Sequence, residues 1–132
     1  MGSPRNTRTR VVVVVEDDRS IGEVLAGVIN DEAGYRAIHL TQPGDALLAL
    51  EQLRPDLLVL DVSLPEMSGL ELYDRLQQDE RMRNVPVIFE TAVAREHGAE
   101  FRKRGITKVL QKPFDLNDLI AGVKELAPPI AA

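Results

Sequence analysis

The hydrophobic positions of this chain follow two different spacings, and their alternation predicts its secondary structure. Uninterrupted aliphatic runs such as Val11–Val15 and Leu57–Leu60 are typical of strands buried on both faces of a parallel sheet. Between these runs, apolar residues recur at helical spacing, which indicates helices that pack through one face. The predicted strands cover residues 11–15, 36–40, 57–60, 85–89 and 106–110. The predicted helices carry their apolar positions within residues 21–29, 43–53, 70–76, 92–104 and 116–126.

Strands and helices that alternate with short connections predict an α/β fold, a doubly wound, five-stranded parallel sheet with helices on both faces. In such a sheet, ligands bind outside the carboxyl ends of the strands. Glu16 and Asp17 follow the first predicted strand, and Asp61 follows the third. We therefore expect these acids to lie together at one edge of the sheet, where they repel one another unless a cation joins them.

Composition limits the other classes of function. The chain has 132 residues and no cysteine, so it fits one domain without disulfides or thiolate metal sites, and a cytoplasmic setting is expected. No apolar stretch approaches the roughly 20 residues of a membrane helix. The net charge of -5 argues against direct binding of nucleic acid. Residues 1–10 are predicted to be a disordered tail or a cloning remnant, residues 11–126 the domain, and residues 127–132 a linker or frayed end.

The fourth and fifth predicted strands add a hydroxyl and an ammonium group to the same edge. Thr91 follows the fourth strand, and Lys112 follows the fifth. Phosphoryl transfer to a side chain needs a nucleophile, a divalent ion and fixed charges on the transferred oxygens. Glu16 and Asp17 suit Mg²⁺, which leaves Asp61 as the nucleophile, while Lys112 and Thr91 can contact the phosphoryl oxygens.

Four segments carry a resemblance to a known family: VVVVVEDD, DLLVLDVSLPEMSGLEL, VPVIFETA and VLQKPF. In this order and spacing, which covers Val11 to Leu126, they resemble the receiver domains of two-component response regulators, the CheY-like superfamily. The resemblance implies a flavodoxin-like strand order of 2-1-3-4-5. It also implies that Asp61 accepts a phosphoryl group from a phosphohistidine on a sensor histidine kinase or a histidine phosphotransfer protein.

The resemblance assigns further roles. Mg²⁺ would be held by Glu16, Asp17, Asp61 and the Ser63 backbone carbonyl, and Thr91 and Lys112 would read the phosphorylated state. The domain would catalyse its own phosphorylation and its slow dephosphorylation, at a rate tuned by the residues at Ser63 and Val93. A cis Lys112–Pro113 bond and an output surface within residues 92–126 are also expected. The kinase, the target, the phosphoryl lifetime and the formation of a homodimer stay open.

Two residues depart from the family pattern. Val109 stands where many members carry an aromatic residue that swings inward on activation. Glu90 ends an apolar strand, where it either alters the charge of the site or faces solvent. An alternative is therefore a degenerate receiver that serves as a phosphorylation-independent binding scaffold.

Three other interpretations are weaker. A hydrolase that uses a phosphoaspartate would need a second acid near Asp61, which Asp61-Val62-Ser63 does not offer. A nucleotide-binding module would need a glycine-rich loop after the first strand, and no such loop follows Val15. His39 and His97 lie on separate elements, which argues against a zinc site or a phosphorelay histidine.

Overall fold

The computed structural model describes residues 8–130, and in this range five strands alternate with five helices. The strands are β1 (Arg10–Val15), β2 (Tyr35–Leu40), β3 (Leu57–Asp61), β4 (Val87–Thr91) and β5 (Val109–Gln111). The helices are α1 (Arg19–Asn30), α2 (Pro43–Gln52), α3 (Gly69–Leu76), α4 (Gly98–Lys103) and α5 (Leu116–Leu126), with a short 3₁₀ turn at Glu80–Met82.

All five strands pair in parallel in the order β2-β1-β3-β4-β5, which confirms the predicted topology. Within β1, Val13 pairs with Ile38 of β2 on one side and with Leu58 of β3 on the other. The next two strands along the chain, β2 and β3, thus lie on opposite sides of β1, and the order of the strands switches there. The carboxyl ends of β1 and β3 become neighbours at this switch point, where parallel sheets bind their ligands.

The aliphatic runs of β1 and β3 are buried because helices cover both faces of the sheet. On one face, Val13 and Leu58 pack with residues of α2, α3 and α4, including Leu72 and Phe101. On the other face, Val12, Val14, Leu57 and Val59 pack with residues of α1 and α5, including Leu25, Ile29, Leu119 and Val123. Alternate side chains of each strand thus enter separate cores, which explains why neither strand alternates with polar residues.

Three helices begin at side chains that accept a hydrogen bond from the first turn. Asp18 accepts from the Ile21 amide at 3.0 Å. Asp115 accepts from the Asn117 amide at 2.8 Å. Ser68 accepts from the Glu71 amide at 3.1 Å and sets the start of α3, whose first residue is beside Asp61.

The fourth helix is much shorter than predicted. The pattern places it over 92–104, but α4 covers Gly98–Lys103, and residues 92–97 form successive turns. The amides of Val93 and Ala94 bond to the Thr91 hydroxyl (3.1 Å) and the Gln111 side chain (2.8 Å). The amides of residues 96–98 then bond three residues back rather than four, so this segment closes as turns rather than as an α-helix.

Two strands are also displaced from the predicted positions. β4 begins at Val87 rather than at residue 85, because Pro86 has no N–H to donate to the ladder. β5 begins at Val109 rather than at residue 106 and extends to Gln111. Both strands also end later in the chain than predicted, at Thr91 and Gln111, which border the predicted site.

Both ends of the described chain pack against the sheet. β1 begins at Arg10, whose guanidinium contacts Asp56 at 3.3 Å and the Pro128 carbonyl at 2.7 Å. Ala127 is buried, and the Tyr35 hydroxyl donates to its carbonyl at 2.6 Å. Most of the predicted tail (residues 1–7) and residues 131–132 lie outside the described residues. Within residues 8–130, no helix is long and apolar enough to cross a membrane.

Candidate functional site

Three carboxylates meet at the switch point of the sheet. Glu16 and Asp17 follow β1, and Asp61 ends β3, so one oxygen of each lies within 4.8 Å of the others. Glu16 and Asp61 are 1% and 3% exposed, whereas Asp17 is open to solvent. An all-oxygen donor set with one open side suits a hard divalent cation such as Mg²⁺, which retains several waters. The structure thus brings together the three predicted acids.

Lys112 enters the same cluster from the end of β5. Its Nζ lies 3.1 Å from Glu16 Oε1 and 3.1 Å from Asp61 Oδ2. Its backbone amide donates to the Thr91 carbonyl at 2.8 Å, which fixes the end of β5 against the end of β4. The Lys112–Pro113 bond is cis, as the resemblance implied. The lysine therefore supplies the positive charge that two buried carboxylates require.

Thr91 is buried at the end of β4 and directs its hydroxyl to the following segment. Its Oγ1 accepts from the Val93 amide at 3.1 Å. Ser63 follows β3, and its amide donates to Asp61 Oδ1 at 2.9 Å. Each carboxylate oxygen of Asp61 therefore has one donor, Ser63 for Oδ1 and Lys112 for Oδ2, so the carboxylate is held in a single orientation.

Glu90 is a third buried acid beside Glu16 and Asp61, and the solvent-facing alternative for it is wrong. It pairs with Asp61 in the sheet and is 0% exposed. Its Oε1 lies 3.5 Å from Lys112 Nζ, and neither of its oxygens accepts a hydrogen bond from the described residues. Its side chain lies on the α1 and α5 face, as does that of Ile88 two residues before it.

Burial and crowding shift the protonation of these groups. Burial is the main cause that raises the pKa of Glu16 to about 8; the charges of Glu90 and Asp61 add to it, and the Asp18 amide opposes it. Burial also raises the pKa of Glu90, against the attraction of Lys112. Burial would lower the pKa of Lys112, but its bonds to Asp61 and Glu16 and the Glu90 charge outweigh that and raise it. The cluster therefore favours any bound cation, whether a proton or a metal ion.

Two residues that position the acids have no predicted role. His39 Nε2 donates to the Glu16 carbonyl at 2.8 Å, and the imidazole ring fills the space where a Cβ on Gly22 would be. A Cβ on Gly69 would stand 2.1 Å from the Asp61 carbonyl oxygen. The only sequence signal for the second contact is the glycine that opens the third helix in MSGLEL, since a glycine there permits close backbone approach.

An apolar cleft of about 570 Å³ opens next to Lys112, between α1 and the start of α5. Ile21 and Val24 are 40% and 51% exposed at its wall, although their spacing placed them on the packed face of the first helix. The remaining lining residues are Ser20, Leu25, Glu90, Ala92, Lys112, Pro113, Phe114 and Leu116. An exposed apolar surface beside a reactive group is typical of a contact site for another macromolecule.

The comparisons with known proteins identify the family. The model of the response regulator receiver domain matches residues 12–124. The chain belongs to this family. This receiver domain is 33% identical over 117 residues to the polar-differentiation response regulator DivK of Brucella ovis, an alignment that covers 88% of this chain and 94% of the relative.

Solved structures agree with the assignment. The receiver domain of the Francisella response regulator 1452 superimposes with a TM-score of 0.81 at 27% identity, over 90% of this chain and 97% of the other. The chemotaxis response regulator CheY4 of Vibrio cholerae gives 0.81 at 25% identity, over 89% and 98%. The protein is therefore a response regulator receiver domain of two-component signalling, with the CheY-like fold.

Proposed function

We propose that this receiver domain accepts a phosphoryl group on Asp61, in a Mg²⁺-dependent transfer from the phosphohistidine of a sensor histidine kinase or a histidine phosphotransfer protein. The observation that carries the proposal is the position of Lys112 Nζ, 3.1 Å from both Asp61 Oδ2 and Glu16 Oε1. A nucleophilic carboxylate, a fixed cation and acids for a divalent ion thus share one site, which is what phosphoryl transfer requires.

In the proposed reaction, an oxygen of Asp61 attacks the phosphorus and the P–N bond to the donor imidazole breaks. The imidazole nitrogen keeps the bonding pair and takes up a proton, and Asp61 becomes an acyl phosphate. Bound Mg²⁺, held by Glu16, Asp17, Asp61 and the predicted Ser63 carbonyl, would supply positive charge for the phosphoryl oxygens. Lys112 supplies the fixed charge from the protein side.

The same residues account for signalling and reset. Lys112 and Thr91 bind the new phosphoryl oxygens, and the movement of Thr91 reaches the segment before α4 through its bond to Val93. We infer that the surface within residues 92–126 presents this change to an output partner. Attack of water on the phosphorus then breaks its bond to Asp61 and releases inorganic phosphate, at a rate that depends on the residues at Ser63 and Val93.

The cleft beside Lys112 supports the partner part of the proposal. The donor histidine must come within bonding distance of Asp61, so the donor protein covers the adjoining surface. Ile21, Val24 and Leu116 expose apolar area there, which a helix of the donor can bury. A donor of this kind implies a cytoplasmic location for the domain.

The test is incubation with acetyl phosphate and Mg²⁺, followed by intact-mass measurement. We expect a gain of one phosphoryl group in the wild type, no gain in Asp61→Asn, and no gain when EDTA replaces Mg²⁺. Asp45→Asn is the matched control, since Asp45 is an exposed aspartate in the first turn of α2. A gain that persists in Asp61→Asn would refute Asp61 as the acceptor. A wild type that takes up no phosphoryl group would favour the scaffold alternative.

A further inference from the structure

The segment 92–97, between β4 and α4, is held by side chains at its start. Its later amides bond within successive turns: Glu96 to the Val93 carbonyl (3.1 Å) and His97 to the Ala94 carbonyl (3.2 Å). Its first amides bond elsewhere, Val93 to the Thr91 hydroxyl and Ala94 to the Gln111 side chain. The position of this segment is therefore set by two residues at the ends of β4 and β5.

Gln111 makes the larger share of these contacts. Its Oε1 accepts from the Ala94 amide at 2.8 Å, and its Nε2 donates to the carbonyls of Ala92 and, at 3.1 Å, Lys112. Gln111 pairs with Thr91 in the sheet, so its side chain leaves β5 next to the residue predicted to sense the phosphoryl group. The side-chain amide of Gln111 thus joins the segment that follows Thr91 to the backbone of Lys112.

We propose that Gln111 is a positioning residue that holds segment 92–97 in place and so sets how readily Thr91 moves onto the phosphoryl group. This inference rests on the proposed function. When the Thr91 hydroxyl turns to a phosphoryl oxygen on Asp61, the Val93 amide loses its partner. The segment can then follow Thr91 only if the Gln111 bonds to Ala92 and Ala94 break.

The energetic consequence follows from the two-state description of a switch. An interaction made only in the conformation before Thr91 moves lowers the population of the moved state, and so weakens binding of any ligand that needs that state. Val109 offers no aromatic ring that could stabilise the moved state. The Gln111 bonds then oppose the move from the end of β5.

The test uses beryllium trifluoride with Mg²⁺, a tetrahedral phosphoryl analogue that coordinates a carboxylate oxygen. Because Gln111 is exposed, water replaces part of each lost bond, so the net effect is that of about one hydrogen bond. We expect Gln111→Ala to bind the analogue about fivefold more tightly than the wild type. NMR should also show faster hydrogen exchange of the Ala94 amide in this variant.

Two further variants separate the role of Gln111 from a general change in stability. Gln111→Glu keeps an acceptor for the Ala94 amide but loses the donor to Ala92, so its Ala94 exchange should lie between wild type and Gln111→Ala. Gln52→Ala removes an exposed glutamine at the end of α2 and should match the wild type in both readouts. The melting temperature should fall by a few degrees at most in the two Gln111 variants, the cost of about one net hydrogen bond, and should not change in Gln52→Ala.

Equal or weaker binding of the analogue by Gln111→Ala, with the wild type binding normally, would overturn the inference and leave the proposed function intact. Unchanged exchange at Ala94 would also overturn it. If the wild type itself failed to bind the analogue while Mg²⁺ was present, the proposed function would fail, and the role of Gln111 would fail with it.

Discussion

The buried Glu90 allows a quantitative prediction about stability. Its carboxylate is 0% exposed, with no hydrogen-bond donor among the described residues and one cation, Lys112 Nζ, at 3.5 Å. Removing a carboxylate from water costs several kcal/mol. The attraction of Lys112 returns about 5 kcal/mol at an effective dielectric constant of about 20. The pKa of Glu90 is raised, so burial together with the charge of Asp61 outweighs this attraction.

We therefore expect Glu90→Gln to stabilise the fold. The amide has nearly the same shape, carries no charge, and can donate to the neighbouring carboxylates. The free energy of unfolding at pH 8 without Mg²⁺ should rise by about 1–3 kcal/mol. For a chain of 132 residues this corresponds to a melting temperature about 4–12 °C higher.

The pH dependence gives the sharper test. Because the pKa of Glu90 in the folded protein lies above its ordinary value of 4.5, the folded protein binds more protons at this group than the unfolded chain does. The contribution of Glu90 to stability is then fully present below pH 4.5 and is lost as pH rises towards the raised pKa. The gap between Glu90→Gln and wild type should therefore be small at pH 4 and should grow with pH.

Urea denaturation from pH 4 to 8 in EDTA, followed by circular dichroism, measures this gap. Glu51→Gln is the matched control, because Glu51 is exposed on α2 and its substitution should leave stability unchanged at every pH. A Glu90→Gln variant that is less stable than wild type at pH 8, or a gap that does not vary with pH, would refute the reasoning.

Four more predictions concern the acids of the site and two glycines. Millimolar Mg²⁺ should raise the melting temperature of the wild type, because only the folded chain assembles the carboxylates, and Glu16→Gln should reduce this shift in calorimetry. Because burial raises the pKa of Glu16 to about 8, Mg²⁺ binding at pH 7 should release up to one proton. Titration calorimetry should then give a binding heat that depends on the buffer, and identical heats in two buffers would contradict this prediction. Gly69→Ala should destabilise the fold by about 2 kcal/mol or more, because its Cβ would stand 2.1 Å from the Asp61 carbonyl oxygen. Gly27→Ala, at an open position inside α1, should instead stabilise it by up to about 1 kcal/mol in urea denaturation.

The sequence by itself determined the sheet and the acids of the site. Val11–Val15 and Leu57–Leu60 lie in strands that end where predicted or one residue later, because a run buried on both faces is a local signal. Parallel pairing then places Glu16, Asp17 and Asp61 at one edge whatever the details of the helices. The family resemblance supplied the strand order, which alternation alone leaves open.

The tertiary structure alone decided the orientation of Glu90, the start of α4 and the contacts that hold the acids in place. Glu90 is buried beside Lys112 although 22 positions separate them in the chain. The helical pattern from residue 92 gives way to turns whose first amides bond to Thr91 and Gln111. Two contacts between elements hold the acids: His39 donates to the backbone carbonyl of Glu16, and Gly69 packs against that of Asp61. Each of these features joins residues from different elements, so its energy depends on distances that appear only after the strands have paired. Hydrophobic periodicity reports which face of a segment is buried, and it carries no information about the polar partners that meet there.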